Sequence, residues 1–256
     1  MQQTDLLQHL TRSVKQLFSK PATLLGPFEA YQLWAENYDD VDTNALLFAE
    51  GKAVRRYLTP ALLEDKDVLD AGCGTGRNLQ MLQEYHPHMI AATDLSPNML
   101  QKAKDKTGGS TPTMLHVARV EQLPFSDVSF DFVLCTLVLG HVAKLISGIS
   151  QLSRVLRPGG TMLITDYHPF GQLLGWQRTF RGGKGHQSES YAVKYYAHLY
   201  AEYFDSFKQT GLELMQIEEP IIDESLIHFY ENAGRSDIYQ RYKGYPMLLI
   251  FEVRKK

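Results

Sequence analysis

The chain has 256 residues, 44% of them hydrophobic, enough to bury one substantial core and to predict a single domain. With 26 basic and 29 acidic side chains, a net charge of -3 and a pI near 6.3, it exerts no long-range pull on a polyanion, and no basic block appears beyond Arg254-Lys255-Lys256. That balance excludes a basic nucleic-acid binder and favours a small-molecule or protein substrate. Two cysteines, Cys73 and Cys135, have no metal-ligand spacing around them and fit a reducing, cytoplasmic setting with no bound metal.

Residues 1–20 carry Leu7, Leu10, Val14, Leu17 and Phe18 at helical spacing among charges, which predicts an amphipathic helix and neither a signal peptide nor a membrane span. Pro21, Gly26 and Pro27 break the pattern, and the rings Phe28, Tyr31, Trp34 and Tyr38 follow, as packing residues or as part of a site. Thr43 is placed to cap a helix over residues 44–58, which Pro60 ends.

Residues 68–78 read Val-Leu-Asp-Ala-Gly-Cys-Gly-Thr-Gly-Arg-Asn. An apolar run closing on Asp70, then Gly72, Gly74 and Gly76, then a helix-compatible stretch, predicts a buried strand turning sharply into a helix whose N-terminus faces a ligand. A dinucleotide fingerprint would need its third glycine where this chain has Arg77, and a Walker loop would need Lys-Ser or Lys-Thr after the glycines. A second strand over residues 89–93 ends at Asp94, about 20 residues beyond the glycines, where an acid reaches ribose hydroxyls in nucleoside-binding α/β folds. Ser96-Pro97 then opens a helix that places Met99 to cover an adenine.

This Asp-x-Gly-x-Gly-x-Gly with its downstream Asp94 resembles the cofactor loop of class I S-adenosylmethionine (SAM) dependent methyltransferases, in particular the small-molecule, type 11-like group. The resemblance is close over residues 68–160 and rests on arrangement alone in the flanks. It implies a doubly wound, Rossmann-like α/β fold of seven strands, six parallel and one antiparallel. To this are added an N-terminal helical cap over residues 1–60 and an inserted hairpin and helix after the fifth strand. The implied cofactor-binding core is 61–169, with substrate-side insertions and the sixth strand in 170–246 and the last strand in 247–256. SAM is the implied donor, S-adenosylhomocysteine (SAH) the product, and the implied cofactor-binding residues are Tyr38, Asp70, Gly72, Cys73, Gly74, Gly76, Asp94, Leu95, Met99, Arg119, Val120 and Cys135.

After a third strand over residues 114–118, the segment Arg119-Val120-Glu121-Gln122-Leu123-Pro124-Phe125 resembles the family's acid-Ala-x-x-Leu-Pro-Phe stretch beside the adenine. Arg119 has donors only and cannot accept from the adenine amino group, which leaves Gln122 or a main-chain carbonyl. The fourth strand, 132–135, leads to Thr136-Leu137-Val138-Leu139-Gly140-His141, without the Asn- or Asp-Pro-Pro-Tyr motif of methyltransferases acting on DNA bases or glutamine. His141 reads as a packing residue at a helix start.

A helix over 144–156 stops at Arg157-Pro158-Gly159-Gly160, a turn before the fifth strand, 161–165, which delivers Tyr167 and His168 to the carboxyl edge of the sheet. Residues 176–181 and 189–196 predict a hairpin around the Gly182–Gly185 cluster, followed by a helix over 199–210, a sixth strand over 212–218 and a seventh over 247–253. Residues 223–246 form a connection long enough to be a lid or binding element. Of the nine histidines, His168 and His198 are the ones placed to serve as base or to orient an acceptor. The expected activity is methyl transfer from SAM to a small acceptor, with histidine-assisted O-methylation as one form of it. The alternatives are a SAM-binding regulatory module and a protein or tRNA methyltransferase.

Overall fold

The computed structural model describes residues 22–39, 44–109, 111–182 and 189–256. The predicted N-terminal amphipathic helix, Thr43 and the glycines at 183 and 185 lie outside them. The described chain opens with strand β1 (Thr23–Leu25) and helices α1 (Pro27–Trp34), α2 (Ala45–Tyr57) and α3 (Pro60–Leu63). Asn44, one residue beyond the expected cap, accepts from the Leu47 amide at 3.2 Å and starts α2. Next come β2 (Asp67–Ala71), α4 (Leu79–Gln83), β3 (Met89–Asp94), α5 (Pro97–Lys104), β4 (Thr113–Val117) and β5 (Phe130–Thr136). After α6 (Leu145–Val155) and β6 (Leu156–Tyr167), the chain continues through α7 (Pro169–Leu173), β7 (Thr179–Gly182), β8 (Glu189–Val193) and α8 (Tyr200–Gln209). It closes with β9 (Leu212–Glu218), α9 (Ile227–Asn232), α10 (Ser236–Tyr242) and β10 (Leu248–Lys255).

The central sheet has seven strands in the order β4-β3-β2-β5-β6-β10-β9. All neighbours run parallel except β10, which is antiparallel to both β6 and β9. The inner strands are apolar along their length because helices cover both faces, and two core clusters result. One holds Leu69, Val133, Ile149 and Phe251; the other holds Val68, Leu82, Ile90 and Phe132. The order reverses between β2 and β5, whose carboxyl ends therefore open a crevice.

Three local outcomes differ from the sequence expectation. Arg157–Gly160 does not end the fifth strand's approach as a free turn but is carried inside a longer β6. Arg157 pairs with Asp67 at 2.8 Å and with Asp131, while the register slips from Phe130 opposite Leu156 to Phe132 opposite Thr161. Helix α4 is five residues long and starts three residues after Gly76, so its N-terminus is not at the loop. Residues 23–25, expected only as a break in pattern, form β1 and pair in parallel with β8, giving a second sheet in the order β1-β8-β7.

That second sheet ties the N-terminal segment to the insertion. A ladder of rings runs from Tyr31 to Trp34 at 6.0 Å, on to Phe180 at 4.7 Å and to Tyr191 at 5.5 Å between centroids. Trp34 is thus a packing residue. The long connection after β9 folds into α9 and α10, which pack Phe229 and Tyr239 against Leu46 and Leu47 of α2.

Candidate active site

The loop after β2 is built from backbone that only glycine adopts freely: Gly72, Gly74 and Gly76 have φ of +80°, +57° and +76°. A β-carbon on Gly72 would also overlap the Val138 side chain. The Gly72 and Cys73 amides donate to the Thr93 carbonyl at 2.7 and 2.8 Å, and the Gly74 amide donates to Asp94 Oδ2 at 2.9 Å. Asp94 Oδ1 accepts from the Ser96 amide at 2.8 Å. On the other side the Thr75 hydroxyl donates to Asp39, whose second oxygen pairs with Lys106 at 2.9 Å. The Tyr38-Asp39 pair is therefore fastened to the loop.

A cavity of about 430 Å³ lies over this loop, at the reversal of strand order. Gly72, Gly74 and Val138 line it together with Asp94 and Leu95 from the end of β3. Met99, Arg119 and Val120 line another part, and Tyr31, Tyr38 and His141 a third. Eight of the expected cofactor residues are thus brought together: Tyr38, Gly72, Gly74, Asp94, Leu95, Met99, Arg119 and Val120.

The other four do not line it. Cys135 is fully buried in the core, and the alternation along β5 presents Thr136 to the cavity instead. Cys73 is buried with its thiol 3.7 Å from the Gly74 carbonyl, Gly76 turns against Leu79 and Ala103, and Asp70 is sealed at the end of β2. Phe28, one of the rings left open between packing and the site, lines the cavity as well, and so does Glu121, which the sequence did not single out.

Burial governs the two acids. It pushes Asp94 up to about 6, opposed by the amides of Ser96, Gly74 and Leu95. It pushes Asp70 up to about 7, opposed by Arg77 and reinforced by Glu50 and Asp94. Neither oxygen of Asp70 has a hydrogen-bond partner among the described residues. Arg77 is committed to a buried ion pair with Glu50, which also accepts from the Thr165 hydroxyl at 3.0 Å.

His141 sits in a short 3₁₀ turn, Leu139–His141, at the cavity wall. Its Nδ1 is 3.0 Å from the Lys194 carbonyl, which can only accept, so Nδ1 carries the proton and Nε2 the lone pair. The Tyr31 hydroxyl donates to that Nε2 at 2.7 Å. Burial, with the nearby Arg178 charge, lowers His141 to about 4 and keeps the imidazole neutral at pH 7.

The two histidines singled out from the sequence lie outside the glycine-loop cavity, and His168 lines a neighbouring one. His168 caps α7: its Nδ1 accepts from the Phe170 amide at 3.2 Å, and Nε2 lies 2.8 Å from Glu219 and 2.9 Å from the Tyr200 hydroxyl. His198 Nε2 donates to the Val142 carbonyl at 2.8 Å, and its Nδ1 lies 3.4 Å from Glu202. Both imidazoles are buried and neither lines the glycine-loop cavity.

The residues present fit SAM. Asp94 keeps lone pairs free to accept from a ribose diol beyond the amides it already serves. The side-chain-free stretch from Gly72 to Gly74 lets an adenosyl group reach the backbone, and Met99 and Val120 give the base apolar walls. Fold and site together define a class I SAM-dependent methyltransferase.

Residues 69–164 match the family model described as a methyltransferase domain. The chain is 27% identical over 227 residues to YodH, an uncharacterised methyltransferase of Bacillus subtilis, covering 80% of this chain and 91% of that one. It is 28% identical over 201 residues to 27-O-demethylrifamycin SV methyltransferase of Amycolatopsis mediterranei, covering 73% and 71%. A SAM-dependent methyltransferase from Mesorhizobium loti shares the fold with a TM-score of 0.62 at 18% identity, over 81% of this chain and 98% of that one. The chain is a SAM-dependent methyltransferase, and no described helix is long and apolar enough to cross a membrane.

Proposed function

We propose that the protein transfers the methyl group of SAM to a hydroxyl of a small acceptor, with His141 receiving the hydroxyl's proton. The observation that carries this reading is the fixed tautomer of His141. The Lys194 carbonyl holds the Nδ1 proton, which leaves the Nε2 lone pair to accept from the Tyr31 hydroxyl at the wall of the cavity over the glycine loop. SAM supplies an electrophilic methyl on a sulfonium, and the protein's own part is to align the acceptor, exclude water and take a proton. Tyr31 stands between His141 and the acceptor as a hydroxyl that can relay that proton.

In this reading Tyr38, Gly72, Gly74, Asp94, Leu95, Met99 and Val120 hold the cofactor. Glu121 supplies the acceptor for the adenine amino group that Arg119 lacks. His168 and His198, expected as the base, instead hold the insertion against the sheet, because their ring nitrogens are committed to Phe170, Glu219 and Val142. The O-methyltransferase relative of Amycolatopsis supports a small-molecule acceptor, as does the surface charge. The test is to incubate the protein with SAM and a panel of alcohols and phenols, reading SAH release. An acceptor turned over by the wild type and lost in His141→Ala supports the reading; turnover of amine or thiol acceptors alone contradicts it.

A further inference from the structure

Arg178 is 7% exposed, and its guanidinium is enclosed by four rings, at 5.6 Å from Tyr31, 5.1 Å from Trp34, 5.7 Å from Tyr38 and 5.6 Å from Tyr167. One nitrogen, Nη2, donates to the Tyr38 hydroxyl at 2.8 Å. The other two, Nε and Nη1, are buried without an acceptor among the described residues. Ring faces attract a cation but accept no strong hydrogen bond, and a buried charged donor left unpaired is costly. Among the described residues no carboxylate offsets the charge: Asp166, which follows Thr165 on β6, is already taken up by the Tyr195 hydroxyl, the Tyr203 hydroxyl at 2.7 Å and the Tyr167 amide at 2.8 Å.

Arg178 belongs to a second cavity of about 410 Å³. Tyr167, Gln172, Trp176, Lys194 and Tyr195 line it too, and no acidic side chain does among the described residues. Lys194 and Arg178 make it cationic, while Tyr167 and Trp176 make its walls aromatic. Lys194 also lines the glycine-loop cavity, so the two spaces are neighbours, and Tyr38, which carries the Arg178 bond, belongs to the first.

We infer that the second cavity receives the body of the acceptor and that the acceptor carries a carboxylate, which Arg178 binds with Lys194 beside it. The inference rests on the methyl-transfer reading above. It assigns to the ligand the counter-charge that the described residues do not give a buried guanidinium. An acidic acceptor of this kind would be set with its carboxylate at Arg178 and its hydroxyl toward His141.

The test uses the full-length protein, with and without SAH, titrated calorimetrically with phenylacetate and with its uncharged analogue phenylacetamide. Phenylacetate is expected to bind about tenfold or more tightly than the amide, as a charge-assisted contact requires. Arg178→Met should abolish that preference, Arg178→Lys should retain part of it, and SAH affinity should stay close to wild type in both. Should the Met variant fail to fold, the Lys variant and Lys194→Gln, at an exposed position, still report the dependence on charge.

Equal binding of the two probes, no binding of phenylacetate, or a preference that survives Arg178→Met would overturn the proposal. So would loss of SAH affinity in that variant with 5′-methylthioadenosine, which lacks the amino-acid carboxylate, bound alike by both proteins; the guanidinium would then serve the cofactor. A wild type that binds phenylacetate but no SAH would contradict methyl transfer while leaving the anion site standing.

Discussion

The amide of Gly74 donates to the carboxylate of Asp94 across 2.9 Å, joining the turn after β2 to the tip of β3. One acid thereby shapes the loop and still faces the cavity, so a change in its charge alters both. With Asp94 pushed up to about 6 by burial, its ionised form is the one that accepts from both ribose hydroxyls. SAH affinity is expected to be level above about pH 7 and to fall as pH drops through about 6. Titrations across that range by fluorescence-detected competition would show it; an affinity that rises on acidification would be inconsistent.

Asp70 gives a stability prediction of opposite sense. Its folded value of about 7 lies above the unfolded 3.8, so the folded state binds the extra proton between those values and loses relative stability as pH rises through them. Asp70→Asn removes this dependence. Relative to wild type, the variant should gain stability between pH 4 and pH 8, on the order of a few kcal/mol. Urea unfolding at the two pH values, compared between the proteins, measures the gain.

His141→Ala should lower kcat for an alcohol or phenol acceptor by about 10²–10⁴-fold, the usual scale for a lost general base, with SAH affinity little changed. Because His141 is held at about 4, wild-type kcat should not titrate at an ordinary histidine pKa. A full-rate variant, or a wild-type profile breaking near 6.5, would remove His141 from the mechanism.

Gly140→Ala tests how the insertion meets the core. An added β-carbon there would run into the Tyr195 ring, and the Gly140 carbonyl also accepts from the Tyr196 amide at 2.6 Å. The expected cost is about 1–3 kcal/mol of stability, together with a raised KM for the acceptor. A melting temperature equal to wild type would show that Tyr195 moves aside freely.

The cofactor half of the site was legible because its chemistry sits in consecutive residues: alternate glycines need no partner to be read as a turn, and Asp94 lies at a fixed distance along the chain. The strands β2 to β6 themselves were legible for the same reason, since apolar runs along the chain announce them. The acceptor half is made by contacts over long separations, and these have no local signature. Tyr31 and His141 are 110 residues apart, and Arg178 and Tyr38 are 140 apart. His168 and His198 were plausible by position, but only the bonds to Phe170 and Val142 show that their lone pairs and protons are committed elsewhere. An arginine set between Trp176 and Phe180 in a short strand-like stretch was the available hint of a buried cation.

The most direct measurement is calorimetric titration of the full-length protein with SAH, alongside Asp94→Ala. The account predicts a single site in the wild type, weakened by about 10–100-fold in the variant, as removal of a charged acceptor shared by two hydroxyls entails. No heat of binding at millimolar SAH, or equal affinity in both proteins, would contradict it.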